Sequence, residues 1–156
     1  MININIPGTG DITIDNVLLD YNGTIAVDGY LIKGVEEKIN QFSSCLAFHV
    51  VTADTFGSVK KELENVNCTL CIIPENDQAK CKLEYLKKLG PQRTLCAGNG
   101  ANDKLILKEA VLGVAILQEE GLASETLFVA DLVVRSVLDL FKYFEKPNRL
   151  VASLRR

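Results

Sequence analysis

The sequence predicts an α/β fold, a doubly wound (Rossmann-like), mostly parallel sheet with helices on both faces and an N-terminal β-hairpin. Three observations predict it. Six short apolar runs alternate with stretches of helical period, as in a parallel sheet covered on both sides. The first run ends in an acid, Val17-Leu18-Leu19-Asp20, and a turn follows at once in Asn22-Gly23-Thr24. No repeat, low-complexity tract or linker breaks the series, so residues 1–156 are expected to form a single domain.

The elements follow in order. The first sixteen residues alternate Ile with polar residues around Pro7-Gly8-Thr9-Gly10, a hairpin signal expected as an edge addition to the sheet. Core strands are expected at Val17–Leu19, Leu46–Val51, Leu70–Ile73, Thr94–Ala97, Val111–Ile116 and Leu132–Val134. A second hairpin spans Ile25–Ile32 and turns at Asp28-Gly29. Gly34–Phe42 sets Val35, Ile39 and Phe42 on one helical face, and Thr55–Val66 does the same with Val59, Leu63 and Val66 behind an Asp54 cap. Gln78–Leu89 places Leu86 and Leu89 opposite a Lys-rich face, and Gly90-Pro91 stops it. Ser136–Phe144 forms a further helix, and Pro147 suits the first turn of a last short one.

Composition narrows the function classes. Hydrophobic residues make up 47% and charged residues 24%, enough for a folded core, and the net charge of −3 gives no basic patch for nucleic acid or an anionic membrane. Arg149, Arg155 and Arg156 read as a solvated C-terminal tail. No stretch approaches the ~20 apolar residues of a membrane span, and no leader pattern is visible, so a cytoplasmic protein is expected. The five cysteines are an odd number, and Cys68-Thr69-Leu70-Cys71 has redox-pair or half-zinc spacing. With His49 the sole histidine and no second cysteine pair, packing is the expected role.

Parallel strands present their C-terminal ends on one edge, where open α/β sheets put their chemistry. Asp20 ends the first core strand, and Thr52 ends the next, where its hydroxyl and the Ala53 backbone can hold phosphate oxygens. Lys82, with Lys80 as its rival, opens a helix and can reach back as a fixed positive charge. Asp103 lies in the loop Gly98-Asn99-Gly100-Ala101-Asn102-Asp103 and suits a hard cation. A carboxylate can accept a phosphoryl group, and Mg²⁺ is typically held by one or two carboxylates plus the substrate phosphate.

These segments resemble the haloacid dehalogenase superfamily, whose motifs are Asp-x-Asp-Gly-Thr, a strand ending in Thr or Ser, a Lys, and Gly-Asp-Gly-x-x-Asp. Within it, Thr52-Ala53-Asp54, Gly98–Asp103 and the spacing of Lys82 with Leu86 and Leu89 are similar to the phosphorylation domain of P-type ATPases and its small soluble relatives. The similarity runs in order from Val17 to Val134. It implies a Mg²⁺-dependent hydrolase or phosphotransferase with Asp20 as nucleophile. It further implies Asp20, the Asn22 backbone carbonyl, Asn99 and Asp103 around the metal, and Gly23, Thr52, Ala53 and Lys82 around phosphate. Only a hairpin stands where larger relatives insert a cap. Such an open site implies cover from a homo-oligomer or a macromolecular substrate, the substrate being a phosphorylated small molecule or protein.

Two departures change the chemistry. Asn22 stands where family phosphatases carry the acid that protonates the leaving group, and general acid–base help is worth about 10²–10⁴-fold. P-type ATPases carry Thr there, so the resemblance still allows an aspartyl-phosphate. Asn99 replaces an expected metal-binding carboxylate, which predicts weakened metal binding. The alternative is the same fold working as a phosphate- or partner-binding module without turnover. A receiver domain phosphorylated on Asp is disfavoured because Asp20 leads directly into Gly-Thr. Asp54 reads as a cap, His49 as a core residue, and Tyr21 as either a specificity or a packing residue.

Overall fold

The computed structural model describes residues 1–54 and 57–156. Six parallel strands form the sheet: β3 (Asn16–Leu19), β6 (Ala47–Thr52), β7 (Thr69–Ile72), β8 (Thr94–Gly98), β9 (Leu112–Ile116) and β10 (Leu132–Val134), in the order β10-β9-β8-β3-β6-β7. Every expected core strand is there. Buried on both faces, β3, β8 and β9 need apolar residues at consecutive positions, which is why they read as continuous runs.

The two faces are covered differently. On one, Val17, Leu19, Phe48, Val50, Leu95 and Val114 pack under α1 (Val35–Phe42), α6 (Val137–Glu145) and α7 (Pro147–Leu154). On the other, Leu18, Val51, Cys96 and Ala115 meet Leu86 of α3 (Gln78–Leu89) and Ile106 and Leu107 of α4 (Lys104–Glu109). Ser136 caps α6 by accepting the Leu138 N–H, and Pro147 sits at the start of α7 as expected.

The N-terminal hairpin, β1 (Ile2–Ile6) with β2 (Gly10–Ile14), corrects one expectation: it forms a separate two-stranded sheet instead of extending the main one. Its alternation buries Ile4, Ile6, Ile12 and Ile14 in the larger core. The Pro7 carbonyl and the Thr9 hydroxyl then bond the Arg156 N–H and the Leu154 carbonyl at the C-terminus. The second hairpin, β4 (Ala26–Val27) and β5 (Tyr30–Leu31), turns at Asp28-Gly29, both with positive φ as the tight hairpin turn requires.

The helix expected over Thr55–Val66 is also corrected. Thr55 and Phe56 lie outside the described residues, and α2 covers only Val59–Glu62, with α5 (Ser124–Leu127) the other short helix. Ser58, not Asp54, stands at the N-cap of α2, although Asp54 Oδ1 reaches the helix start by accepting the Val59 N–H at 3.2 Å. Among the described residues no helix is long and apolar enough to cross a membrane.

Candidate active site

Side chains alternate along a strand, so Asp20 continues the register of Leu18 and emerges on the face covered by α3. Lys82 lies one turn before Leu86 on the buried face of that helix. The two meet: Lys82 Nζ donates to Asp20 Oδ1 at 2.6 Å and to Asp103 Oδ1 at 2.6 Å, with Lys82 only 1% exposed and Asp103 fully buried. Lys80 projects outward beside Asp77, so the geometry selects Lys82 as the lysine at Asp20.

Burial alone would push the Lys82 ammonium down, but Asp20 and Asp103 outweigh it and hold its pKa above the ordinary lysine value. Burial pushes Asp103 up to about 6, and Asp20 acts in the same direction against Lys82 and the Gly100 N–H. The triad of two carboxylates and one ammonium leaves one net negative charge at the end of β3.

Asp103, expected among the metal ligands, does not itself line the cleft. Its Oδ2 accepts from the Asn99 N–H at 3.0 Å and the Gly100 N–H at 2.9 Å, and its Oδ1 is held by Lys82. A carboxylate with both oxygens so engaged supports the loop from behind. Gly23 is likewise buried and outside the lining. A Cβ there would lie 2.2 Å from Asn99 Nδ2, and φ is +76°, so only glycine lets the Asn99 amide lie against this turn.

The cleft itself, about 180 Å³, is lined by Asp20, Asn22, Thr52, Ala53, Gln78, Asn99, Gly100 and Asn102. Larger hollows exist elsewhere, one of about 390 Å³ beside Arg135 and Lys142, but that one includes neither Asp20 nor Thr52. The Thr52 hydroxyl accepts the Asp54 N–H at 3.1 Å, leaving its proton free for an acceptor. Asn22 Oδ1 is buried with no hydrogen-bond partner. A buried lone pair without a donor costs roughly 1–3 kcal/mol, so it is a standing place for an electropositive ligand.

Sequence reasoning missed Thr24, whose hydroxyl lies 3.3 Å from both Asp20 Oδ2 and Asn99 Oδ1, and the pair Asn102–Gln78, joined at 2.6 Å across the cleft wall. Thr24 sits in the Gly-Thr turn and was findable from it. Isolated amides such as Gln78 carry no pattern. The donor set, the Asp20 carboxylate with oxygens of Asn22 and Asn99, is all oxygen and fits a weakly bound hard cation. Among the described residues no cluster of three His, Cys, Asp or Glu side chains is placed to hold a metal.

The remaining candidates are structural. The Tyr21 hydroxyl is buried and donates to the Gly29 carbonyl at 3.1 Å, fixing the second hairpin. His49 Nδ1 pairs with the Tyr85 hydroxyl at 3.0 Å, and burial pushes the imidazole down. All five cysteines are free, and burial pushes the Cys68 thiol up to about 11.

No protein-family model matches the chain. Over 79 residues, 49% of this chain and 85% of the relative, it is 43% identical to the uncharacterized protein MJ0073 of Methanocaldococcus jannaschii. Among solved structures it is similar to the 3-deoxy-D-manno-octulosonate 8-phosphate phosphatase of Moraxella catarrhalis in complex with magnesium, phosphate and KDO. That likeness has a TM-score of 0.65 and 16% identity, covering 91% of this chain and 94% of that one. The cobalt-bound deoxy-D-mannose-octulosonate 8-phosphate phosphatase of Haemophilus influenzae gives 0.64 and 10%, over 91% and 90%. A phosphoserine phosphatase in its apo form gives 0.61 and 14%, over 84% and 99%. The chain therefore belongs to one family with the uncharacterized protein MJ0073, and it carries the fold of the HAD-family hydrolases.

Proposed function

We propose that this chain is an uncapped, Mg²⁺-dependent phosphohydrolase or phosphotransferase working through an aspartyl-phosphate on Asp20. The observation that carries the reading is the Asp20 carboxylate at the tip of a central strand, steadied by Lys82 at 2.6 Å and opening onto the Asn22–Thr52–Asn99 cleft. An Asp20 oxygen attacks phosphorus, the bond to the leaving oxygen breaks, and that oxygen takes its proton from water because Asn22 has none to give. Water then attacks the acyl phosphate, returning the Asp20 carboxylate, inorganic phosphate and a proton.

Thr52 and the Ala53 backbone bind the equatorial oxygens, and Lys82 balances charge as it moves off Asp20. Asp20, the Asn22 carbonyl and Asn99 Oδ1 would hold the cation, which when bound neutralises phosphate charge. Asp103 orients Lys82 and the Asn99–Gly100 amides. The substrate is a phosphorylated small molecule or protein, with a second copy of the chain or the substrate itself covering the site and no role for nucleic acid or membrane. The likeness of Thr52-Ala53-Asp54 and Gly98–Asp103 to P-type ATPase motifs supports placing it near that branch.

The test is intact-mass analysis after incubation with acetyl phosphate and Mg²⁺. One added phosphoryl group, absent in Asp20→Asn, is the expected result; no adduct on the native chain overturns the covalent step. Asn22 and Asn99 favour one second reading, a module that binds phosphate or a protein without turnover. Under it, phosphate binds with Mg²⁺ and no donor labels Asp20. Under the first reading, Asn22→Asp raises turnover by about 10²-fold or more, and Asn99→Asp tightens Mg²⁺ binding.

A further inference from the structure

Gln118 stands just past β9, in a segment that no motif marks. Its Nε2 donates to the Thr24 carbonyl at 2.7 Å and the Gly23 carbonyl at 3.2 Å, while its Oε1 accepts the Val137 N–H at 3.3 Å. One amide side chain thus joins the turn after Asp20 to the first residue of α6.

The same segment grips Asn99 twice. The Gly121 carbonyl accepts from Asn99 Nδ2 at 3.0 Å, and the Ala123 N–H donates to the Asn99 carbonyl at 2.8 Å. The first of these contacts decides which way the Asn99 amide faces: with Nδ2 committed to Gly121, Oδ1 is left toward the Thr24 hydroxyl at 3.3 Å. Glu120 adds a third tie, accepting the Asp28 N–H at 2.8 Å from the second hairpin. The loop after β3 and the loop after β8 are therefore held in relation to each other by a third segment that does not line the cleft.

We infer that Gln118 is a positioning residue for the candidate site. By holding the Gly23 and Thr24 carbonyls it fixes the backbone that carries Asp20 and Asn22, against an Asn99 oriented by Gly121. Partners that orient metal ligands typically change metal affinity about 10–100-fold when removed. The cation arm of the inference rests on the proposed function; the backbone arm stands without it.

Two variants separate the ends of the side chain. Gln118→Met keeps the shape and loses both donors and the acceptor. Gln118→Glu keeps an acceptor for the Val137 N–H and sets an anionic oxygen against two carbonyls. Amide hydrogen exchange of the metal-free protein is read by NMR, followed by titration with Mg²⁺ alone. In Gln118→Met, exchange at Gly23, Thr24, Ile25 and Val137 speeds up while β6 keeps its native rates. In Gln118→Glu the first three speed up and Val137 stays protected. Both variants raise the Mg²⁺ Kd about tenfold or more, and Glu119→Ala, at an exposed side chain outside these ties, leaves that Kd unchanged. Unchanged exchange at Gly23–Ile25, or a uniform rise across the protein, overturns the inference. A native chain with no Mg²⁺ affinity but the expected exchange pattern overturns the cation reading and keeps Gln118 as the residue that sets the turn.

Discussion

The two faces of the sheet bury their residues by different means. The face under α1, α6 and α7 is apolar throughout, with Phe42, Phe48, Phe141 and Phe144 in mutual ring contact and the N-terminal hairpin extending it. The face under α3 and α4 has a thinner apolar layer, and toward the carboxyl edge it is completed by Lys82 and Asp103 instead of by hydrocarbon. A buried ion triad adds little net stability over an apolar packing of equal volume, but breaking it leaves an unpaired charge in the interior. The thin face therefore couples stability to the site, and the thick face does not.

The largest effects test that contrast. Phe141→Ala should cost about 3–5 kcal/mol in denaturant unfolding and leave Mg²⁺ affinity of the folded fraction unchanged. Lys82→Met should cost a similar 3–5 kcal/mol, because two carboxylates lose their shared partner, and should also abolish the site. Combining it with Asp20→Asn and Asp103→Asn should recover most of the stability and none of the function. Equal losses in the single and triple variants would break the comparison.

Titration sharpens it. The folded state holds the Lys82 proton more tightly than the unfolded chain, so this stabilisation is present below the ordinary lysine pKa of about 10.5 and is lost as pH rises through the higher folded value. Asp103 has the same sign: its folded pKa of about 6 exceeds the unfolded 3.8, so its contribution is present below 3.8 and lost as pH rises through 6. Unfolding curves from pH 4 to 7 should show that decline in the native chain and a shallower one in Asp103→Asn.

Much of this was legible in the sequence because of where the residues sit. Core strands such as Leu112–Ile116 are buried on both faces, so their apolar runs leave little choice, and Asp20 and Thr52 could be placed at strand ends by the same logic. Whether the N-terminal hairpin joins the main sheet was not legible, since alternating isoleucines fix which face is buried and say nothing of a further neighbour beyond the hairpin itself. Nor was the retreat of Asp103 behind the cleft, which depends on the Asn99 and Gly100 amides turning inward. Gln118 and Gln78 were invisible for a simpler reason: a lone amide has no period and no motif.

Smaller effects complete the series. Gly23→Ala should cost about 1–3 kcal/mol, from a strained φ and the collision with Asn99, and should weaken Mg²⁺ binding through the same contact. Lys80→Ala, on the solvent side of α3, should stay within about 0.5 kcal/mol and leave the site untouched.

The central claim is a competent Asp20, and it is tested most directly by phosphate release with Mg²⁺ from a panel of phosphomonoesters, acyl phosphates and ATP, comparing the native chain with Asp20→Asn. Slow turnover on at least one class, lost in the variant, is the predicted result. No release from the native chain on any member of the panel, or equal release from both proteins, would contradict it.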